Sequence, residues 1–255
     1  MHKMRLWRPA RLIGVLAVSL LLAAGCAAPT TPATPLAPPT NTPVTHAASI
    51  VPTAAQPTAP GAAPSPSAVI PTYTYRVVDS YPHDPNAFTQ GLIYADGALF
   101  EGTGRYGQSS LRAVDLETGQ VLHQIELPEQ FFGEGITRFG DRIYQLTWQS
   151  HEGFVYDAAT FDQLGTFTYP SEGWGLTHDN ARLIMSDGTD TLHFLDPQTL
   201  QETGRVAVRY RDTPVVRLNE LEYIDGEVYA NIWQTNTIVR IDPLTGQVVG
   251  VIDLT

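Results

Sequence analysis

Between residue 88 and the C-terminus, apolar and polar side chains alternate in short runs that are broken by turn residues. The period is two, that of a half-buried strand, and the 3.6-residue period of an amphipathic helix is absent. Residues 135–138, 142–148, 153–156 and 163–169 form one such group of four predicted strands, with Gly140-Asp141 and Asp157-Ala158 as turns between them.

The group repeats along the chain. Asp-x-x-Thr recurs with its aspartate at Asp115, Asp157, Asp196 and Asp242, at intervals of 42, 39 and 46 residues. A second marker keeps the same phase: Gly91-Leu92-Ile93, Gly135-Ile136-Thr137, Gly175-Leu176-Thr177 and Glu220-Leu221-Glu222, at intervals of 44, 40 and 45. Four antiparallel strands in each ~40–45-residue unit predict an all-β fold, a β-propeller whose four-stranded blades pack face to face around a channel. A further strand-like segment at 73–81 precedes the first repeat, in the place where a propeller strand often completes the last blade. Four repeats are complete at Thr255, so the sequence is expected to stop short of most of a fifth blade. A four-bladed ring with an extra strand is the alternative.

Upstream of the repeats the chain changes character. Residues 1–25 carry Lys3, Arg5, Arg8 and Arg11 and then an apolar run from Leu12 to Ala24, which reads as an export signal too short to span a bilayer. Small residues running into Cys26 resemble the bacterial lipoprotein cleavage box, although Leu22 lies four places before the cysteine where three is usual. Cys26 is therefore the expected lipidation site, and the mature chain is expected outside the cytoplasm, anchored to the cell membrane. As the only cysteine, it permits no intramolecular disulfide. The following segment to residue 71 holds 12 Pro, 12 Ala and 8 Thr in 45 positions and no charged residue, a composition that builds an extended stalk and no core.

Charge narrows the partners. The net charge is −11, and from residue 72 onward 26 acidic residues face 11 arginines and no lysine. Such an acidic surface argues against a nucleic-acid partner.

The repeat also selects the candidate chemistry. The start of a blade's first strand and the end of its second share one face of a propeller. Immediately before the second marker stand Gln90, Glu134, Trp174 and Asn219, and the second strands end at Gly104, Trp148, Gly188 and Trp233. Each has an ordinary reading: a glutamate between two glycines as a solvated turn, the amides as partners of strand-entry backbone, the indoles as packing between blades. A structural role would recur in every blade, however, and these positions differ from blade to blade, so together they point to a pocket. The histidines, His83, His123, His151, His178 and His193 among them, occupy unrelated offsets and form no zinc motif. Gly102-Thr103-Gly104 lacks the strand-to-helix setting of a phosphate loop and reads as a turn. Ser109-Ser110 has no nucleophile-elbow pattern.

Five blocks in order and in register, Phe88-Thr89-Gln90-Gly91-Leu92, Phe132-Gly133-Glu134-Gly135, Gly173-Trp174-Gly175-Leu176, Arg217-Leu218-Asn219-Glu220-Leu221-Glu222-Tyr223 and Asn231-Ile232-Trp233-Gln234-Thr235, resemble the plant-type glutaminyl cyclases, which also occur in bacteria. The resemblance covers essentially all of 72–255. It implies a five-bladed propeller with the last blade truncated here, and an enzyme that turns the N-terminal glutamine of a peptide or protein into pyroglutamate with release of ammonia. It further implies Glu134 as the general acid/base, with Gln90 and Asn219 holding the substrate. Trp148, Trp174, Trp233, Phe88 and Phe132 would wall the pocket. No catalytic metal is implied, a structural calcium in the central channel is an open expectation, and the enzyme is expected to act as a monomer. The family also carries a site lysine in a Gly-Lys-Leu-Trp block of its last blade, and the lack of lysine from residue 72 onward agrees with a missing fifth blade.

Two rivals stay open on the residues alone. One is a non-catalytic propeller holding a peptide or glycan at its aromatic mouth. The other is a calcium-dependent lactonase-like propeller, for which Glu134, Asn219 and Glu220 are the only placed ligands.

Overall fold

The computed structural model describes residues 69–255, so the export signal, Cys26 and nearly all of the stalk lie outside the described residues. Every regular element among them is a strand. After β1 (Thr72–Tyr73), blade I consists of β2 (Thr89–Ala95), β3 (Ala98–Thr103), β4 (Ser110–Asp115) and β5 (Val121–Glu126). Blade II is β6 (Gly133–Phe139), β7 (Arg142–Thr147), β8 (Glu152–Asp157) and β9 (Gln163–Thr168), and blade III is β10 (Leu176–His178), β11 (Leu183–Ser186), β12 (Thr191–Leu195) and β13 (Glu202–Ala207). A small hairpin, β14 (Arg209–Tyr210) and β15 (Thr213–Pro214), leads into blade IV, formed by β16 (Leu218–Ile224), β17 (Glu227–Ile232), β18 (Thr237–Ile241) and β19 (Val248–Asp253). Within each blade consecutive strands pair antiparallel, and the inner strands β2, β6, β10 and β16 pack one on the next, the arrangement of a β-propeller.

Local chemistry fixes the turns. Two-residue hairpins at Asp96-Gly97 and Asp225-Gly226 place both residues at positive φ, which a glycine and a short polar side chain accept. The Asp-x-x-Thr tetrads join the third strand of a blade to the fourth. Thr118, Thr160 and Thr199 donate their backbone N–H to the aspartate at 2.9, 2.9 and 2.7 Å, and in blade IV Leu244 donates to Asp242 at 2.9 Å. These are Asx turns, in which the side chain replaces a backbone acceptor.

The apolar faces meet between blades and form three clusters. Phe100, Leu111, Phe131, Ile136 and Phe154 fill the space between blades I and II. Tyr144, Leu146, Phe167, Leu176 and Met185 fill that between II and III, and Ile184, Phe194, Leu218, Val228 and Ile241 that between III and IV.

Two sequence expectations need correction. The segment at 73–81 is not a strand beyond Tyr73; residues 76–81 are exposed and irregular, and Asp79 binds the N–H of Ser80 instead of a ladder partner. Thr72–Tyr73 pairs in parallel with the outer strand β19. Gly102 and Thr103 end β3 rather than forming a turn, because both pair with β4.

Candidate active site

The inner strands of blades I, II and III each approach the next so closely that the second marker there must be glycine. A Cβ on Gly91 would lie 2.5 Å from the Ile136 nitrogen, one on Gly135 2.5 Å from the Trp174 carbonyl oxygen, and one on Gly175 2.7 Å from Glu220 Cα. The Gly135 N–H donates across the blade boundary to that same Trp174 oxygen at 2.8 Å.

Directly before these contacts, the pairing of first and second strands shifts register, between Thr89 and Gly91, between Gly133 and Ile136, and between Leu218 and Leu221. Each shift is a β-bulge, and the bulged stretches contain Gln90, Glu134 and Asn219. A bulge re-aims a side chain that strict alternation would send to a blade face. At the same open end of the hairpins, just after the second strands, Gly104, Trp148 and Trp233 occupy matching places, each donating its N–H to the carbonyl of Phe88, Phe132 or Arg217 at 2.9–3.0 Å. Where this place is glycine, a neighbouring aromatic fills it: a Cβ on Gly104 would meet Phe132 Cδ1 at 2.8 Å, and one on Gly188 would meet the Trp174 ring at 2.6 Å.

These devices bring Phe88, Gln90, Phe132, Glu134, Trp148, Trp174, Asn219 and Trp233 to one cavity of about 230 Å³. This is below the ~300–1,000 Å³ of sites for drug-sized ligands, and suits a single side chain with its backbone ends. Aromatic edges join the wall: Phe88 to Phe132 at 6.2 Å, Phe132 to Trp148 at 5.7 Å, and Trp174 to Trp233 at 5.5 Å between ring centres. Phe88 and Trp233 are about half exposed and form the rim.

Glu134 lies at the bottom, 6% exposed, its Oε1 accepting from Gln90 Nε2 at 3.2 Å. Burial, reinforced by the negative charge of Glu172, pushes its carboxyl up to about 9. It is therefore a neutral acid at pH 7, able both to give a proton and to take one back within the working range. Glu220 lies deeper, in the glycine position of the fourth marker. Both its oxygens are buried without a hydrogen-bond partner. Burial, then the charges of Glu222 and Glu134, push this carboxyl well up, and the nearby N–H groups of Leu92 and Leu176 offset only part of that.

Sequence reasoning missed Glu172. Its Oε2 accepts from Trp148 Nε1 at 2.8 Å and Trp174 Nε1 at 2.9 Å, and its Oε1 accepts from Gln149 at 3.0 Å. A signal was present: it stands three residues before Gly175, where blades I and II carry Phe88 and Phe132. The histidines serve elsewhere, His83 on Glu101 at 2.8 Å, His193 on Asp187 at 3.1 Å, His123 stacked on Phe161. Ser109 and Ser110 are buried and hydrogen-bonded to the backbone of Arg105 and to Thr103.

Fold and site together define a β-propeller with a buried carboxyl, that of Glu134, in an aromatic-walled pocket. Residues 46–255 match the glutamine cyclotransferase family, and the chain belongs to it. It is 48% identical over 176 residues to a glutaminyl-peptide cyclotransferase of Arabidopsis thaliana, an alignment that covers 68% of this chain and 55% of that protein. The chain thus spans about half the length of this curated relative. The crystal structure of Myxococcus xanthus glutaminyl cyclase superimposes with a TM-score of 0.68 and 41% identity, covering 72% of this chain and 78% of the other. A protein of unknown function from Bacteroides caccae, at 16% identity and a TM-score of 0.50, shares the fold alone.

Proposed function

We propose that the protein is a glutaminyl-peptide cyclotransferase, which closes the N-terminal glutamine of a peptide or protein into pyroglutamate and releases ammonia. The observation that carries this reading is the buried carboxyl of Glu134, which accepts a hydrogen bond from the Gln90 amide inside a ring of aromatic side chains. The family membership and the named relatives support it.

The chemistry asks little beyond geometry and a proton. The α-amino nitrogen and the side-chain amide carbon belong to one residue, so the pocket needs only to bend the chain into a near-attack conformer. As the new C–N bond forms, the amine loses a proton and the amide carbon passes through a tetrahedral oxyanion. Collapse breaks the old C–N bond, and the amide nitrogen leaves as ammonia with one proton more than it brought. Glu134, starting as the neutral acid, gives its proton to the departing amide nitrogen and regains one from the attacking amine, with no net change in its own state. Gln90 and Asn219 hold the amide and amine, and the five aromatic side chains exclude water and orient the glutamine methylenes.

A five-bladed ring belongs to the same proposal. Inner strand β6, flanked on both sides, buries five of its seven residues, whereas β2 buries one of seven and β16 two of seven. A fifth sheet between blades IV and I would cover what these two leave exposed. The export signal, the lipid on Cys26 and the stalk are proposed on sequence pattern: together they would hold the domain outside the cytoplasm, near the membrane, within reach of peptide substrates.

Glu220 Oε1 and Oε2, buried without a hydrogen-bond partner, are the two oxygens the site would offer a structural calcium, which takes six to eight. Among the described residues no three His, Cys, Asp or Glu side chains are grouped to hold a metal. This donor set weighs against the lactonase-like reading.

The test is incubation of the full chain with a Gln-initiated peptide while ammonia is followed, with and without chelator. Ammonia release unchanged by the chelator is expected. Saturable binding with no product would replace this reading with the peptide-binding one.

A further inference from the structure

We infer that Glu172 is a positioning residue of this site: its one carboxylate ties the Trp148 and Trp174 indoles into a single wall and stands as a fixed negative charge facing Glu134. The kinetic part of this inference rests on the cyclisation reading; the structural part does not.

An indole has a single polar atom, its N–H, and a half-buried tryptophan is fixed in rotation when that atom finds a partner. Here two indoles from different blades share one acceptor, Glu172 Oε2, at 2.8 and 2.9 Å. Hydrogen bonds to an ionised acceptor are roughly twice as strong as neutral ones. Trp148 follows β7 in blade II and Trp174 precedes β10 in blade III, so the carboxylate bridges two blades at the pocket. The bridge is braced on both sides: Gln149 donates to Oε1 at 3.0 Å, Gly173 donates its N–H to the Trp148 carbonyl at 3.0 Å, and His151 meets the Ser171 carbonyl at 2.6 Å. Because Trp148 touches Phe132 and Trp174 touches Trp233, one side chain fixes the aromatic wall on both sides of the cavity.

Glu172 is charged at neutral pH. Burial alone would raise its carboxyl, but hydrogen bonds from Gln149, Trp174 and Trp148, with His151 nearby, outweigh burial and hold it below the usual carboxylate range. Of the other titratable groups around Glu134, Glu220 is driven well up by burial, and Tyr169 is pushed up to about 12 by the same cause. The charge that Glu134 faces is therefore that of Glu172.

Two variants of the full chain separate shape from charge. Glu172→Leu removes both acceptors, and Glu172→Gln keeps an acceptor of the same shape without the charge. With far-UV circular dichroism unchanged as the control for folding, Glu172→Leu is expected to lose about half or more of the near-UV indole signal, and its KM for a Gln-initiated peptide is expected to rise about tenfold, the cost of unpartnered buried donors. Glu172→Gln is expected to keep most of the indole signal while the alkaline limb of kcat/KM, which reports the free enzyme, moves to lower pH by about half a unit. A merely structural residue would leave that limb in place. Wild-type indole spectra in Glu172→Leu would overturn the clamp, and an unmoved limb in Glu172→Gln would overturn the role of the charge. If the wild type releases no ammonia, the cyclisation reading falls on its own, and the indole spectra alone uphold or overturn the clamp.

Discussion

At the turn between third and fourth strands all four blades carry the same aspartate and threonine, and in every blade the aspartate closes an Asx turn, with the threonine N–H in blades I to III and that of Leu244 in blade IV. At the entry to the first strand the blades instead carry Gln90, Glu134, Trp174 and Asn219, and these converge on one cavity. The two regions are built from the same repeat and differ in what is repeated. A turn has to be made four times, so its chemistry recurs; a reaction has to be carried out once, so its groups are dealt out one to a blade. The glycine marker beside them separates the two rules by one residue: Gly91, Gly135 and Gly175 recur because the inner strands touch, and the residue before each is free to vary.

The comparison breaks most sharply at Glu134. Glu134→Gln should lower kcat by roughly 10²- to 10⁴-fold, the size of a general acid/base contribution, as measured by ammonia release. Its stability should not fall. A carboxyl whose folded pKa is raised contributes stability below its unfolded pKa, and that stability is lost as pH rises toward 9. Removing the titration should leave Tm at pH 8 equal or higher in a thermal melt. Unchanged turnover would remove Glu134 from its role.

A smaller effect separates the marker from the site. Gly175→Ala would drive a methyl group onto the Asn219 carbonyl and to 2.7 Å from Glu220 Cα. Denaturant unfolding should give a loss of about 1–3 kcal/mol, the usual cost of overpacking, with any loss of activity tracking the unfolded fraction.

The smallest effect belongs to the turns. Asp157 is held below the usual carboxylate range by the N–H groups of Thr160 and Ala159, and Asp196 by those of Thr199 and Gln198. A depressed carboxyl contributes stability above its unfolded pKa, lost as pH falls through the folded one. The wild type should therefore lose stability below about pH 4, and Asp157→Asn should flatten that fall slightly, with activity at pH 8 untouched.

The sequence made this contrast legible because phase survives without coordinates. Gln90, Glu134, Trp174 and Asn219 could be aligned by counting from the markers, and so could Trp148 and Trp233. What counting could not give was direction. The bulges that turn Gln90, Glu134 and Asn219 toward the cavity depend on register between strands, and the Gly104 and Gly188 seats depend on where a neighbouring ring comes to lie. Glu172 was passed over because an acid in a Pro-Ser-Glu-Gly stretch looks like solvated loop; only the meeting of two indole N–H groups on one oxygen gives it a task. The segment at 73–81 misled for the opposite reason. Its alternation has a strand's period, but a strand needs a partner as well as a pattern, and only Thr72–Tyr73 has one.

The most direct test is a paired measurement of ammonia release from a Gln-initiated peptide, at matched concentrations of folded protein, by wild type, Glu134→Gln and Asp157→Ala. The account predicts at least a hundredfold loss for Glu134→Gln at undiminished Tm, on the scale of general acid/base terms. It predicts a rate within about twofold of wild type for Asp157→Ala at a Tm lowered by a few degrees, as for other turn substitutions. Equal rates in Glu134→Gln and wild type, or no release from the wild type, would contradict it.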